Sequence, residues 1–269
     1  MSEYEIEIIG GGKMGTAILS GFLKNKLVDA SQVAVAESDI TQIETLRLEY
    51  ESVDVIDLPV DCKTLILAVK PNVAAEVIET LNVNNVKFER VISIMAGITT
   101  DYLSERLKHT AAIIRSMPNT PAMIGKGMIA ITKGPNCAQQ DLEFSTNLLS
   151  VLGDTVWVGE EEMDAITAIS GSGPAYLYYL TESLVAAGIR QGLDETLAYQ
   201  LSVKTMIGAA ELMDRTDSSP TNLRRAVTSK GGTTQAALES FEKDDLFGLV
   251  ARAVDAAAQR SRQIGSTLK

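Results

Sequence analysis

Between Thr228 and Thr234 the chain reads Thr-Ser-Lys-Gly-Gly-Thr-Thr, four hydroxyls, two adjacent glycines and one cation, and an Ala- and Leu-rich stretch of helical character follows at once. Glycines let a backbone turn its N–H groups inward, and the first turn of a helix adds unpaired N–H groups and a partial positive charge. Ser229, Gly231, Gly232, Thr233 and Thr234 could therefore receive a small carboxylate. A plain Gly-Gly turn ahead of a helix would use the same residues, so the choice depends on what the loop faces. A second glycine cluster lies near the other end. Tyr4-Glu5-Ile6-Glu7-Ile8-Ile9 has strand character and runs into Gly10-Gly11-Gly12-Lys13-Met14-Gly15. Gly10, Gly12 and Gly15 have the dinucleotide spacing: one glycine for a tight turn, one for close approach of a pyrophosphate, one for helix–strand packing. Ile18, Leu19, Phe22 and Leu23 then recur with helical period. Strand, glycines and helix in this order predict that the segment from Gly10 to Gly15, Lys13 and Met14 included, holds a dinucleotide.

These residues need a scaffold, and the pattern of elements supplies one. Up to about residue 158, short β-like and helical patterns alternate: strands at Gln32 to Ala36, Thr64 to Val69 and Val91 to Met95, helices at Thr41 to Tyr50, Asn72 to Leu81 and from about Thr100. Thr64 to Val69 is an almost unbroken apolar run, as expected for a parallel strand buried on both faces. Repeated strand–helix units imply an α/β Rossmann domain over 1–158, a doubly wound and mostly parallel sheet. From 159 to 269 strand patterns stop and an all-α domain is expected. Pro174 suits a first helical turn, Asp194 an N-cap, and a last helix from Asp244 or Asp245 carries Leu246, Leu249, Val250, Ala253, Val254 and Ala257 on one stripe. That stripe predicts partial burial against a second subunit.

Ligands of such sheets lie across the carboxyl ends of the strands. The rule nominates Glu37 and Ser38, the run Ala68-Val69-Lys70-Pro71, and Ala96-Gly97. Glu37 stands 22 residues after Gly15, where a carboxylate accepts from ribose hydroxyls and repels a 2′-phosphate. No arginine follows it, which favours NADH over NADPH; the competing role is a cap for the next helix, shared with Asp39. Lys70 could reach a phosphate or the nicotinamide edge, or simply lie along the surface. Asn119, between two prolines, could contact the cofactor or shape a turn. The single histidine, His109, follows Lys108 at a polar helix end and is expected to be exposed and non-catalytic. No Ser-His-Asp set or metal-ligand cluster is visible, so no metal is expected.

Composition limits the partners. The 269 residues carry a net charge of −11, which argues against nucleic acid and anionic membranes and obliges an anionic substrate to be captured by local donors. Cys62 and Cys137 match no metal or redox spacing and are expected as free buried thiols in a reducing compartment. With no secretory signal and no apolar run near membrane-spanning length, a cytoplasmic protein is expected.

Taken together, the two glycine-rich ends, Ala68-Val69-Lys70-Pro71, Arg115-Ser116-Met117-Pro118-Asn119-Thr120-Pro121 and Ser170-Gly171-Ser172-Gly173-Pro174-Ala175-Tyr176 resemble pyrroline-5-carboxylate reductase. The resemblance spans nearly the whole chain. It implies reduction of L-1-pyrroline-5-carboxylate to L-proline by hydride from NAD(P)H, the last step of proline biosynthesis. It also implies a helical domain that interlocks with a partner into a homodimer, with assembly beyond the dimer left open. Ser229 and the N–H groups of Gly232, Thr233 and Thr234 would then bind the substrate carboxylate, and Thr234 would stand near the ring nitrogen. One departure is evident: the family usually has proline where this chain has Lys230. Two rivals share the layout. A β-hydroxyacid dehydrogenase would need a lysine where this chain has Leu177, and a non-catalytic dinucleotide sensor would not need the carboxylate loop.

Overall fold

The computed structural model describes residues 4–266. One eight-stranded sheet runs in the order β3-β2-β1-β4-β5-β6-β7-β8. Its strands are β1 Tyr4–Ile9, β2 Val33–Ala36, β3 Asp54–Ile56, β4 Cys62–Leu67, β5 Arg90–Ser93, β6 Ala112–Met117, β7 Gly127–Lys133 and β8 Gly153–Trp157. Strands β1 to β6 pair in parallel, β7 reverses against β6, and β8 follows β7 in parallel. The expected doubly wound, mostly parallel sheet is therefore present.

Helices cover both faces, which is why β4 reads as a continuous apolar run: Leu65, Ile66 and Leu67 are all fully buried. On one face Ile6, Ile8, Val33, Val35 and Ile66 meet Ile18, Leu19 and Phe22 of α1 (Lys13–Lys24) and Leu148 and Leu149 of α5 (Gln139–Leu149). On the other, Ile9, Leu65, Leu67 and Val91 meet Ile78 and Leu81 of α3 (Ala74–Val83) and Leu103 of α4 (Thr100–Arg106). Helix α2 (Ile40–Glu49) buries only Leu46 and starts at Asp39, whose side chain accepts from the N–H groups of Thr41 and Gln42. The edge strand β3 has no counterpart in the sequence reading. Its three residues are too few to display an alternation.

After β8 the chain is helical: α6 Met163–Ile166, a π-helical turn at Thr167–Gly171, α7 Gly173–Arg190, α8 Glu195–Arg215, α9 Pro220–Ala226, α10 Thr233–Lys243 and α11 Leu246–Ser266. Two compact units result: residues up to Ser172 with those from Ala256 onward, and Gly173–Asp255. The last turns of α11 thus belong to the sheet-bearing unit, where Ser261 Oγ donates to Asp164 Oδ1 at 2.5 Å. In the other unit Asp194 caps α8, as its sequence position suggests, by accepting from Leu197 N–H. Helices α7, α9 and α10 contain no buried residue, and α8 contains only Ala198 and Ser202. Tyr178, Tyr179 and Phe247 stand 63, 72 and 78% exposed, and Leu249 and Val250 of the predicted stripe about half exposed. Among the described residues no helix is long and apolar enough to cross a membrane.

Candidate active site

Strand register assembles the nominated loops into one row. Ile9 pairs with Ala36 and with Leu67, Leu67 with Ser93, and Ser93 with Arg115. The residues that follow, Gly10, Glu37, Ala68, Ile94 and Ser116, therefore share the carboxyl edge of the sheet.

The three glycines of the loop have different surroundings. Gly10 has φ of +103°, and a Cβ there would stand 2.7 Å from the carbonyl oxygen of Ala68. A Cβ on Gly15 would clash with Gly10 O, so its absence lets α1 pack on the loop. Around Gly12, by contrast, a Cβ would meet nothing within 4 Å. Gly12 is also the N-cap of α1 and supplies no side-chain oxygen to its first N–H groups. These groups and the open side of Gly12 fit a pyrophosphate. Lys13 is exposed there and Met14 half-buried.

Glu37 is braced into this loop. Its Oε2 accepts from Gly11 N–H at 2.8 Å, and Oε1 accepts from the N–H groups of Ser38 and Asp39 at 2.7 and 3.0 Å. The helix cap itself falls to Asp39 alone. Two donors hold the carbonyl of Gly11: Gln42 Nε2 at 2.5 Å and Thr16 Oγ1 at 2.8 Å. The sequence reading missed Gln42, whose position in the first turn of α2 was its only signal.

Lys70 is exposed and opens the 3-10 turn Pro71–Val73 at the end of β4, while Ala68 and Val69 are half-buried beneath the glycine loop. Ala96 is half-buried. Gly97 is occupied differently from a free cofactor loop: it is buried, with φ of +76°, and a Cβ there would lie 2.8 Å from Ser261 O and 3.0 Å from Gly265 N of α11. Asn119 is held at both ends of its amide. Its Nδ2 lies 3.2 Å from Ser170 Oγ, and its Oδ1 accepts from Met128 N–H at 3.1 Å. Ser170 sits in the π-helical turn, a feature without sequence signal that recurs at functional sites. Below Asn119, the buried Arg115 pairs with Glu160, whose Oε2 also accepts from Thr100 Oγ1 at 3.0 Å.

His109 corrects one expectation. It is half-buried, not exposed: Nε2 lies 2.7 Å from Phe88 O, and the ring meets Phe88 edge-on at 5.1 Å between centroids. Both residues precede their strands, so the histidine lies at the amino edge of the parallel sheet, opposite the glycine loop. Cys62 is free and buried, and Cys137 is free but only half-buried. Burial pushes the Cys62 thiol pKa up. Beside it, burial pushes Glu7 up to about 8, aided by Asp61 and opposed by the Val60 N–H that its Oε1 accepts at 3.1 Å. Neither group lies on the carboxyl edge.

In the helical unit, the serine-glycine-threonine loop closes as a turn: Gly232 N–H donates to Ser229 O at 3.0 Å. Gly231 has φ of +73°, and its N–H donates to Gln235 Oε1 at 2.7 Å. Two of the glycine N–H groups are thus engaged within the loop. Gly232 is the N-cap of α10 and, like Gly12, gives that helix no side-chain cap. Thr233 and Thr234 form the first turn, Thr233 exposed and Thr234 half-buried, with Ser229 Oγ folded over Gly232.

A doubly wound sheet with this glycine cradle defines the class, an α/β protein of the dinucleotide-binding type. The comparisons specify it further. Residues 160–264 match the family described as pyrroline-5-carboxylate reductase dimerisation, and residues 5–97 match the family described as NADP oxidoreductase, coenzyme F420-dependent. Pyrroline-5-carboxylate reductase of Corynebacterium melassecola is 36% identical over 267 residues, covering 97% of this chain and 98% of its own. That of Haemophilus influenzae is 36% identical, covering 96 and 97%. Among solved structures, Plasmodium falciparum pyrroline carboxylate reductase with NADP bound superposes with a TM-score of 0.86 at 28% identity, covering 98 and 99%. The chain belongs to the pyrroline-5-carboxylate reductase family.

Proposed function

We propose that this protein reduces L-1-pyrroline-5-carboxylate to L-proline with NAD(P)H, the last step of proline biosynthesis, in the cytoplasm. The observation that carries the reading is that two helices start on a glycine without a side-chain cap, at the open cradle of Gly12 and at Gly232, on a chain alike to these reductases over almost its full length. Gly10, Gly12, Gly15 and the N–H groups of Lys13 and Met14 would hold the dinucleotide, with Glu37, Ser38, Ala68, Val69, Lys70, Pro71 and Ala96 around it. Gly97 and Asn119 would shape that site, given the contacts they make. Bound there, the cofactor supplies a hydride to the carbon of the substrate C=N bond.

The N–H groups of Thr233 and Thr234 and the Ser229 hydroxyl would bind the carboxylate, and Gly231 and Gly232 would give the loop its shape. Thr234 Oγ1, or a water held by it, would pass a proton to the ring nitrogen. The nitrogen is itself basic, so orientation and charge placement suffice without a strong acid. That agrees with a histidine on the far edge of the sheet. Leu177 stands where a β-hydroxyacid dehydrogenase would need its lysine.

We further read Glu37 as favouring NADH, because its carboxylate, held by three N–H groups, would repel a 2′-phosphate. The exposed apolar side chains of α7, α8 and α11 favour a homodimer formed through the helical unit. Initial rates with NADH and NADPH on pyrroline-5-carboxylate and its six-membered homologue test the activity and the preference together. Absence of turnover with either cofactor refutes the activity, and a higher kcat/KM with NADPH refutes the preference. Sedimentation equilibrium reads the oligomer: a monomer refutes the dimer.

A further inference from the structure

The loop read as the substrate clamp contains a turn in which Lys230 takes the position that favours proline. Ser229 O accepts from Gly232 N–H at 3.0 Å, and Gly231, third in the turn, has φ of +73°. That is a type II turn, which favours proline at its second position and glycine at its third. Lys230 occupies the second position, so the backbone keeps the shape without the rigidity a proline ring would give. A different brace is present. Gln235, third residue of α10, reaches back so that its Oε1 accepts from Gly231 N–H at 2.7 Å, one residue earlier than a usual capping box would reach. Its Nε2 donates to Glu239 Oε1, also at 2.7 Å, one helical turn on. An amide has two distinguishable ends, and the contact to Glu239 dictates that oxygen faces the loop.

We infer that Gln235 is the positioning residue of the carboxylate clamp: it holds the Ser229–Gly232 turn closed in place of proline at position 230, with Glu239 orienting its amide. The inference rests on the reading of this loop as the substrate clamp. Gln235 needs no contact with substrate. It keeps Ser229 Oγ and the N–H groups of Thr233 and Thr234 in one arrangement before the carboxylate arrives.

The test is steady-state kinetics on four variants of the full-length protein. Gln235→Ala removes both hydrogen bonds of the amide, of which the one to Gly231 N–H braces the turn, and should raise KM for pyrroline-5-carboxylate roughly five- to tenfold, with kcat within about twofold and KM for the dinucleotide unchanged. Lys230→Pro added to Gln235→Ala should bring KM back to within about twofold of the parent, a rescue that a general packing defect would not show. Glu239→Ala, at an exposed site, should raise KM about threefold and remains decisive if Gln235→Ala fails to fold. Ser229→Ala separates the two readings. If it leaves KM unchanged, the loop is not the clamp and this inference falls with that reading. If it raises KM while Gln235→Ala and Glu239→Ala do not, or if Lys230→Pro fails to rescue, the clamp stands and the positioning role is overturned.

Discussion

Gly10 and Gly12 lie two residues apart and should fail in opposite ways when each becomes alanine. At Gly10 the methyl meets two penalties. The backbone is at φ of +103°, a conformation that costs an L-residue roughly 1–2 kcal/mol. The new Cβ would also stand 2.7 Å from Ala68 O and 3.0 Å from Val69 Cγ1, against an ordinary separation of about 3.5 Å. The strand pair cannot easily yield, because Ala68 N–H is bonded to Ile9 O at 2.8 Å; overpacking of this kind costs about 1–3 kcal/mol. Gly10→Ala should therefore lose about 2–5 kcal/mol, a fall in melting temperature of roughly 5–15 °C. At Gly12, φ is −67° and ψ −173°, which any residue adopts, and the methyl meets no protein atom within 4 Å. The exchange of an N-cap glycine for alanine should cost no more than about 1 kcal/mol. The same methyl would occupy the side open to the pyrophosphate, so dinucleotide affinity should fall by at least about tenfold, roughly 1.4 kcal/mol. Thermal unfolding without cofactor, with titration of NADH followed by its fluorescence, reads both quantities. Wild-type affinity in Gly12→Ala would refute the assigned cofactor approach. Wild-type melting in Gly10→Ala would refute the contact argument.

Thr234→Ala should lower kcat roughly ten- to a hundredfold while the dissociation constant for NADH changes less than about twofold; an equal loss of cofactor binding would exclude the proton-relay role. Glu7 gives a pH dependence of stability. Its pKa is about 8 in the fold against 4.5 for the free group, so the folded state holds the extra proton between these values. Stability is then fully present below about pH 4.5 and falls as pH rises toward 8, by up to about 1.4 kcal/mol per pH unit. Glu7→Gln, which cannot ionise, should flatten that slope in urea unfolding between pH 5 and 8, and parallel curves for the two proteins would contradict it. Gly265→Ala would drive a methyl onto Gly97 O, so it should lower the melting temperature by roughly 3–10 °C, and an unchanged midpoint would show that the helix crossing is loose.

How much of this was readable beforehand depended on the range of the interaction concerned. Gly10, Gly12 and Gly15 declare themselves because strand, turn and helix start are consecutive, and Asp194 announces α8 for the same reason. Glu37 was legible as a carboxylate at the end of β2. Its bond to Gly11 N–H was not, because that bond spans two strands. Gly97 looked like part of a cofactor loop, yet its missing Cβ serves a crossing with Gly265 from the far end of the chain. His109 was misplaced because its neighbours in sequence are polar, whereas Phe88, which packs on it, comes from another strand–helix unit. The π-helical turn at Thr167–Gly171 inserts one residue per turn without any composition signal, so Ser170 could not be set beside Asn119 from sequence.

A chain of net charge −11 must bind an anionic cofactor and an anionic substrate against its own field, and its helix starts suggest how. Helices α2, α4, α8 and α9 each begin on a residue, Asp39, Thr99, Asp194 or Ser219, whose side-chain oxygen accepts from the first turn. An oxygen so placed occupies the N–H groups that a ligand would need. Helices α3, α5 and α6 lack a side-chain cap, at Val73, Ala138 and Glu162, but none of these starts is a glycine. Helices α1 and α10 begin instead on Gly12 and Gly232, which have no such oxygen. These are the two helix starts assigned here to the dinucleotide and to the carboxylate. In each loop a glycine of positive φ stands just ahead of the helix, Gly10 at +103° and Gly231 at +73°, and hydrogen bonds brace the turn. The braces differ in kind. The first loop is held by the sheet and by Glu37 and Gln42, the second by the turn itself and Gln235. Backbone donors carry no net charge, so they add nothing to the overall balance and cannot be swamped by it at contact distance. Under the proposed assignment, preorganised loops that withhold their own caps reconcile an acidic protein with two anionic ligands.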